Sequence, residues 1–412
     1  MGDAGHSAVN DAEGLPDMSS SAAVYGQPTY PAWIADRVRL QRDFIDNLRP
    51  FPFDQPADIR GFYSLHQNDY LRLSNHPEVV HARAEANLRP RIESFSSSVF
   101  GGVSSEHDRF VALLKDSLQA NDIILTTAGW TANAGLLEAI CAEETPVYID
   151  VEAHASMVDG IRFSQAKKVI VRHNDWEHLE KRVKIHGPGV VCIDALYSTD
   201  GSLPDLPRYI DICERHDCIL VLDEAHSFGM FGAKGGGLAV KLGLAHRVHF
   251  RTVSLSKALG GHGGLVAGSA DMLRSLRSHM RPVLFSSSTS AILAAGHAAA
   301  LEVLMREPER AAHCLEMAAR FIRTLEAAGV DTRASRSQIV SLFFKDEQAC
   351  QLYGELRERR ILSSVFVYPA IPRGISMLRF SVYSELKADD IDYIADCTLA
   401  GLRKMRPAEL RP

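Results

Sequence analysis

The chain contains no apolar run approaching the roughly 20 residues that cross a bilayer, which argues against a membrane span. It also lacks an excess of positive charge. Its 45 Lys and Arg stand against 51 Asp and Glu, a formal net charge of -6, so neither nucleic acid nor an anionic membrane surface is an expected partner. Cysteine is sparse and unpatterned. The seven (Cys141, Cys192, Cys213, Cys218, Cys314, Cys350 and Cys397) are odd in number, and several lie in apolar runs; that reads as reduced core thiols in a cytoplasmic protein. Cys213 and Cys218 flank His216 at a spacing that suits no zinc knuckle, so no metal site is expected. No glycine-rich phosphate loop ending in Gly-Lys-Ser/Thr is present, so the string Asp223-Glu224-Ala225-His226 is not read as a helicase box. Met1 to Tyr30 is rich in Gly, Ala, Ser and Asp and lacks the apolar core of a signal peptide; it reads as a mobile leader. There is no internal repeat.

What the chain does have is a succession of short apolar runs alternating with helical stretches. The runs are Ile123 to Leu125, Val147 to Ile149, Val169 to Val171, Val190 to Ile193, Ile219 to Leu222, Phe250 to Val253 and Leu265 to Ala267. Strands that short, apolar on both faces and separated by helices, predict a largely parallel sheet covered on both sides. Pro31 to Asn47 reads as an opening helix. Beyond residue 290 the pattern changes: Cys314, Ala318, Phe321, Ile322 and Leu325 recur at helical spacing, with Gly329 as a stop. Strands near Val340 to Phe344 and Met377 to Val382 follow, then a helix from about Asp389. The expected division is a leader and opening helix over 1–60, a large α/β domain over 61–290, and a smaller α+β domain over 291–412.

Polar residues sit where the apolar runs stop. Leu220-Val221-Leu222 ends in Asp223, and about 34 residues on, Val253-Ser254-Leu255-Ser256-Lys257 opens a glycine-rich turn. Two strands ending this way fit neighbouring positions in an α/β sheet, whose ligands bind at the carboxyl ends of strands. A lysine there can form a Schiff base with a cofactor aldehyde, and an adjacent Asp can hold a protonated pyridine nitrogen. That pair is what pyridoxal 5′-phosphate (PLP) requires, although a lone lysine before glycines is also the composition of a solvated loop. Gly129-Trp130-Thr131-Ala132-Asn133 follows a strand and opens a helix, where free backbone amides and a close-approaching glycine bind phosphate; Ser254 can add a hydroxyl. His154, just after a strand, reads either as an ordinary loop residue or as a flat ring to stack on a cofactor. His226 and Ser198 are candidates for the cofactor's ring oxygen. Each signal is weak in isolation; their combination and order are what carry the reading.

From about Asn68 to the C-terminus the chain resembles the α-oxoamine synthases, PLP enzymes of the aspartate-aminotransferase fold (fold type I). Their members include 8-amino-7-oxononanoate synthase, 2-amino-3-ketobutyrate CoA ligase, 5-aminolevulinate synthase and serine palmitoyltransferase. The resemblance lies in Asn68-Asp69-Tyr70-Leu71 with Ser74-Asn75-His76-Pro77, Gly129 to Asn133, His154-Ala155-Ser156, Ser198-Thr199-Asp200-Gly201, Asp223 to His226 and Ser254 to Gly261. It implies a seven-stranded, mostly parallel sheet in a large domain beside a smaller α+β one. It implies cofactor attachment at Lys257, a pyridinium partner in Asp223, ring stacking by His154, ring-oxygen contacts from Ser198 and His226, and phosphate contacts at Gly129, Trp130 and Ser254. Arg379 with Asn68 is implied for the substrate carboxylate. Phe285 to Thr289, including Ser287, resembles the stretch that reaches the phosphate of a second subunit, which implies a homodimer. The implied reaction joins an acyl-CoA to an amino acid or S-adenosylmethionine, with loss of CoA and CO2.

One stretch departs from the family. Where most members carry a glycine-rich loop ending in Ser-Arg, this chain has Ser94-Phe95-Ser96-Ser97-Ser98-Val99-Phe100-Gly101-Gly102. That variant is similar to the bacterial α-hydroxyketone autoinducer synthases, as are Gly129 to Leu137, His186-Gly187-Pro188-Gly189 and Ser363 to Phe366. An aminotransferase or lyase of the same fold shares Lys257 and Asp223 and stays open at this point. A regulator without turnover has nothing in its favour, because every catalytic position holds a competent residue.

Overall fold

Seven short strands pair into one sheet in the order β2-β8-β7-β6-β5-β3-β4 of a computed structural model that describes residues 30–47, 58–346 and 348–405. Strand β1 (Tyr63–Ser64) lies outside this sheet; β2 (Asp122–Thr126), β3 (Pro146–Asp150), β4 (Lys167–Val171), β5 (Val190–Asp194), β6 (Ile219–Asp223), β7 (Phe250–Ser254) and β8 (Gly264–Gly268) form it. Strands β3 to β7 pair in parallel, and β8 alone runs against its neighbours β7 and β2. All seven expected runs are therefore strands, each one or two residues longer than its apolar core.

Period-two alternation builds a core on each face. On β5, Val191 and Ile193 join one cluster while Val190 and Cys192 join the other; on β6, Leu220 and Leu222 face opposite to Val221. Helices α6 (Trp176–His186) and α7 (Leu206–Arg215) cover the first face through Leu179, Val183 and Ile210. Helices α4 (Gly129–Ile140) and α5 (Ala155–Phe163) cover the second through Leu136, Leu137, Met157 and Ile161. The expectation of burial on both faces fails at β4. It is the edge strand, and its Ile170 stays 52% exposed.

Before the sheet lie α2 (Pro77–Leu88) and α3 (Ser105–Leu118), which pack with the long α11 (Ala291–Arg306). The second apolar region follows. Helix α12 (Glu309–Ala327) buries Cys314, Ala318, Phe321, Ile322 and Leu325 as their spacing predicts, and ends at Gly329, whose φ of +79° closes the turn. Strands β9 (Ile339–Lys345), β11 (Ser364–Phe366) and β12 (Ile375–Ser381) form an antiparallel sheet in the order β11-β12-β9, packed by α12 and α13 (Gln348–Glu358), on which α14 (Ala388–Lys404) lies in turn. The two-residue strand β10 (Ile361–Leu362) pairs with β1. Helix α1 (Ala32–Asn47) matches the expected opening helix and forms a separate unit. The leader, apart from Tyr30, lies outside the described residues. Five of the seven cysteines are buried.

Candidate active site

The two strand ends singled out in the sequence are neighbours: β6 and β7 pair in parallel with Asp223 opposite Thr252. Asp223 is buried and its carboxylate is fully engaged. Oδ1 accepts the Ala225 amide at 2.8 Å, and Oδ2 accepts Asn133 Nδ2 at 2.6 Å. Asn133 is fixed in turn, because its Oδ1 accepts the Thr252 hydroxyl at 2.6 Å and its Nδ2 also reaches Ser156 Oγ at 2.9 Å. The quoted stretch Gly129 to Asn133 held this residue, but its role was not legible; one helical turn beyond Gly129 is the only hint.

Asp194 ends β5 opposite Asp223. Burial, with the negative charge of Asp223 added, pushes its carboxyl well above the usual range. It accepts only the His154 amide, at 3.4 Å. His154 caps α5: its Nδ1 accepts the Ser156 amide at 3.3 Å and lies 2.7 Å from the Ser156 hydroxyl. Its ring is exposed and stands edge-on to Trp130, with centroids 5.6 Å apart. One hydrogen-bonded chain, His154–Ser156–Asn133–Asp223, therefore runs from an exposed ring to a buried carboxylate.

Lys257 follows β7. Burial first, and the Arg379 guanidinium second, pull its ammonium down to about 8 against the opposing pull of Asp223. The cation that adds to burial here is a residue of the chain itself, Arg379. Arg379, on β12, is buried yet has no carboxylate partner among the described residues. Its Nη1 donates to the Ser198 carbonyl at 3.0 Å, its Nη2 to Asn68 Oδ1 at 3.2 Å, and its Nε is buried without a hydrogen bond. A desolvated guanidinium with an unused donor is a receptor for a carboxylate.

The Tyr70 hydroxyl lies 3.2 Å from Asn68 Oδ1 and 2.7 Å from His226 Nδ1. His226 is buried, and burial together with the charges of Lys257 and Arg379 keeps it far below the ordinary imidazole range, hence neutral. Ser198 belongs to a tightly pinned turn. Ser341 Oγ donates to the Thr199 carbonyl at 2.5 Å and Ser337 Oγ to the Gly201 carbonyl at 3.0 Å. From the large sheet, His173 lies 3.0 Å from Asp150 and 3.4 Å from Asp200. Burial would lower its pKa, but these two carboxylates override that and raise it to about 10. Sequence reasoning missed both Tyr70 and His173.

Gly129 opens α4 beside Ser254, and a Cβ at Gly129 would sit 2.7 Å from Ser254 Cβ. The glycine thus keeps a small space between the first-turn amides, which no intrahelical carbonyl can satisfy, and the Ser254 side chain. Ser254 Oγ lies 2.8 Å from Ser256 Oγ. Asp223, His154, His226, Ser198, Lys257, Arg379 and Asn68 are thus joined by contacts or charge, with Gly129, Trp130 and Ser254 beside them. Ser287 is not brought in. It is exposed after α10 (Arg281–Leu284), next to Ser288, whose amide donates to the Ser96 carbonyl at 2.9 Å.

The family description "aminotransferase class I and II" fits residues 61–397. The chain belongs to that family. It is 32% identical over 336 residues to the CAI-1 autoinducer synthase of Vibrio campbellii, covering 81% of this chain and 85% of that one. It is 34% identical over 356 residues to an 8-amino-7-oxononanoate synthase of Anaeromyxobacter sp., covering 85% and 89%. Serine palmitoyltransferase of Sphingomonas wittichii shares the fold, with a TM-score of 0.83 over 92% of this chain and 99% of that one at 23% identity. Within the class I and II family the chain is a PLP-dependent α-oxoamine synthase, an acyltransferase of fold type I. The residues present fit the cofactor: a half-neutral buried lysine, a strand-end carboxylate without a cationic partner, and a glycine-lined helix start that a methyl group would fill. Among the described residues no helix is long and apolar enough to cross a membrane.

Proposed function

We propose that the enzyme condenses an acyl-CoA with an amino acid, or with S-adenosylmethionine, and releases CoA and CO2 to leave an α-aminoketone. The observation that carries this reading is Arg379, buried without a carboxylate partner yet near enough to Lys257 to depress its pKa. When bound, PLP serves as an electron sink for charge released at the substrate α-carbon. Arg379 and Asn68 hold the substrate carboxylate. Lys257, partly neutral near pH 8, attaches the cofactor and then takes and returns the α-proton. Asp223, oriented by Asn133, keeps the pyridine nitrogen protonated, and His154 stacks on the ring. His226 and Ser198 take the ring oxygen; Gly129, Trp130 and Ser254 take the phosphate.

The dimer belongs to this proposal. Ser287 lies away from its own chain's cluster, so its hydroxyl serves the phosphate site of a second copy. The Ser94 to Gly102 segment, with Phe95 and Phe100 exposed, supports acyl selection of the autoinducer-synthase kind. A cytoplasmic setting and a division of labour between residues 61–290 and 291–412 complete the reading. The test is a CoA-release assay on the purified enzyme with a panel of acyl-CoAs and amino acids. Free CoA formed only when both substrates are present supports the synthase. Pyridoxamine phosphate formed from the amino acid without acyl-CoA would make it an aminotransferase instead.

A further inference from the structure

We propose that Tyr70 is a positioning residue that fixes which ring nitrogen of His226 carries the proton. The inference rests on the reading above for its functional meaning, but its geometry is independent of it. Tyr70 is fully buried and has one proton to give; its hydroxyl lies 2.7 Å from His226 Nδ1 and 3.2 Å from Asn68 Oδ1, with the Gln338 and Ser381 side chains also beside it, and the imidazole is the nearer of the two measured partners. The orientation of the Asn68 amide follows from Arg379. A guanidinium only donates, so the Asn68 atom 3.2 Å from Arg379 Nη2 is the oxygen.

That oxygen is already supplied with a proton by Arg379, and it lies 0.5 Å farther from the Tyr70 hydroxyl than the imidazole does. The hydroxyl proton therefore goes to His226 Nδ1. His226 is held neutral by burial and by the cations Lys257 and Arg379, so it has a single ring proton. With Nδ1 accepting, that proton sits on Nε2, which forms no hydrogen bond to another described residue. Gln338 Nε2 anchors the same residue through its backbone carbonyl at 2.9 Å and leaves the ring choice to Tyr70. The result is a ring whose free nitrogen is a donor, the form that suits an oxygen carrying negative charge. The clamp for the substrate carboxylate and the donor for the cofactor's ring oxygen are thus joined through Asn68 and Tyr70.

Nitrogen-15 NMR of the histidine-labelled, full-length protein without cofactor reads the tautomer directly. The expected His226 spectrum has Nδ1 unprotonated and Nε2 protonated, and Tyr70→Phe should convert it to a mixture or to the opposite form. A wild-type spectrum with the proton on Nδ1 overturns the proposal, and so does a folded Tyr70→Phe variant with an unchanged tautomer. The wild-type spectrum decides even if the variant does not fold. In the loaded enzyme, Tyr70→Phe should lower kcat about tenfold and shift the pH dependence of the bound cofactor's visible absorbance. The two readings fail separately. If Lys257 does not hold PLP, the functional reading falls while the tautomer stands; if PLP binds Lys257 but the tautomer is wrong, only the Tyr70 proposal falls.

Discussion

Asn133 donates to the Asp223 carboxylate across 2.6 Å, and so ties α4 to the end of β6. The same amide takes the Thr252 hydroxyl on its oxygen, which leaves Asn133 one possible orientation. Asn133→Leu removes these two bonds and the one to Ser156, and leaves Asp223, Thr252 and Ser156 partly unsatisfied in a buried site. The expected outcome is a loss of about 1–3 kcal/mol of stability and roughly tenfold weaker PLP retention. Thermal denaturation and cofactor titration of the variant check it. Wild-type cofactor affinity in a folded Asn133→Leu would contradict the role assigned to this amide.

Arg379→Lys keeps the charge but loses the planar pair of donors that a carboxylate requires. The amino-acid KM should rise about 10- to 100-fold, with little change in the KM for acyl-CoA. Steady-state kinetics with each substrate varied in turn separates the two. Equal effects on both would place Arg379 outside the carboxylate site.

Lys257 is depressed from 10.5 to about 8. Steps that need the free amine should therefore rise with pH and level off above about 8. For stability the sign is worked from proton uptake. Between about 8 and 10.5 the unfolded chain still holds the proton that the folded chain has released, so the contribution of Lys257 to stability rises with pH across that window. A cofactor-free pH series comparing wild type with Lys257→Met reads this difference. Lys257→Ala should lose covalent PLP attachment altogether; cofactor still attached to the protein after borohydride reduction and denaturation would overturn the assignment.

His173 behaves in the opposite sense. Its folded pKa of about 10 lies above the ordinary 6.5, so its contribution is fully present below 6.5 and is lost as pH climbs through about 10. His173→Gln should cost about 2–3 kcal/mol at neutral pH, below the usual cost of breaking a buried pair, because a quarter of the side chain stays exposed. The melting temperature of wild type should fall between pH 6.5 and about 10 more steeply than that of the variant.

The sequence made some of this legible and hid the rest for identifiable reasons. The placement of Asp223 and Lys257 was readable because Asp223 ends one apolar run and Lys257 follows three residues after Ser254 ends another, and β6 and β7 are adjacent. The edge position of β4 was not read, because only its apolar run Val169 to Val171 was counted, whereas Lys167 and Lys168, both exposed, are the residues that mark an edge. Strands β1 and β10 are two residues each, too short for any periodicity. Asn133, Tyr70 and His173 escaped because their importance lies in partners 90, 156 and 23 residues away. Ser198 was singled out for its hydroxyl, yet the bond the structure records is to its carbonyl.

The turn from Tyr197 to Ser202 has a consequence for how this enzyme can change. Lys257 follows a strand of the large sheet and Arg379 stands on the small one, while this turn is bonded to both sides: to Arg379, Ser337 and Ser341, and through Asp200 and Ser202 to His173. It bridges the two sheets, and Arg379 is held on its Ser198 carbonyl. Inserting a single residue into the turn would therefore shift Arg379 relative to the large sheet, whereas substitutions elsewhere in either core leave these bonds in place.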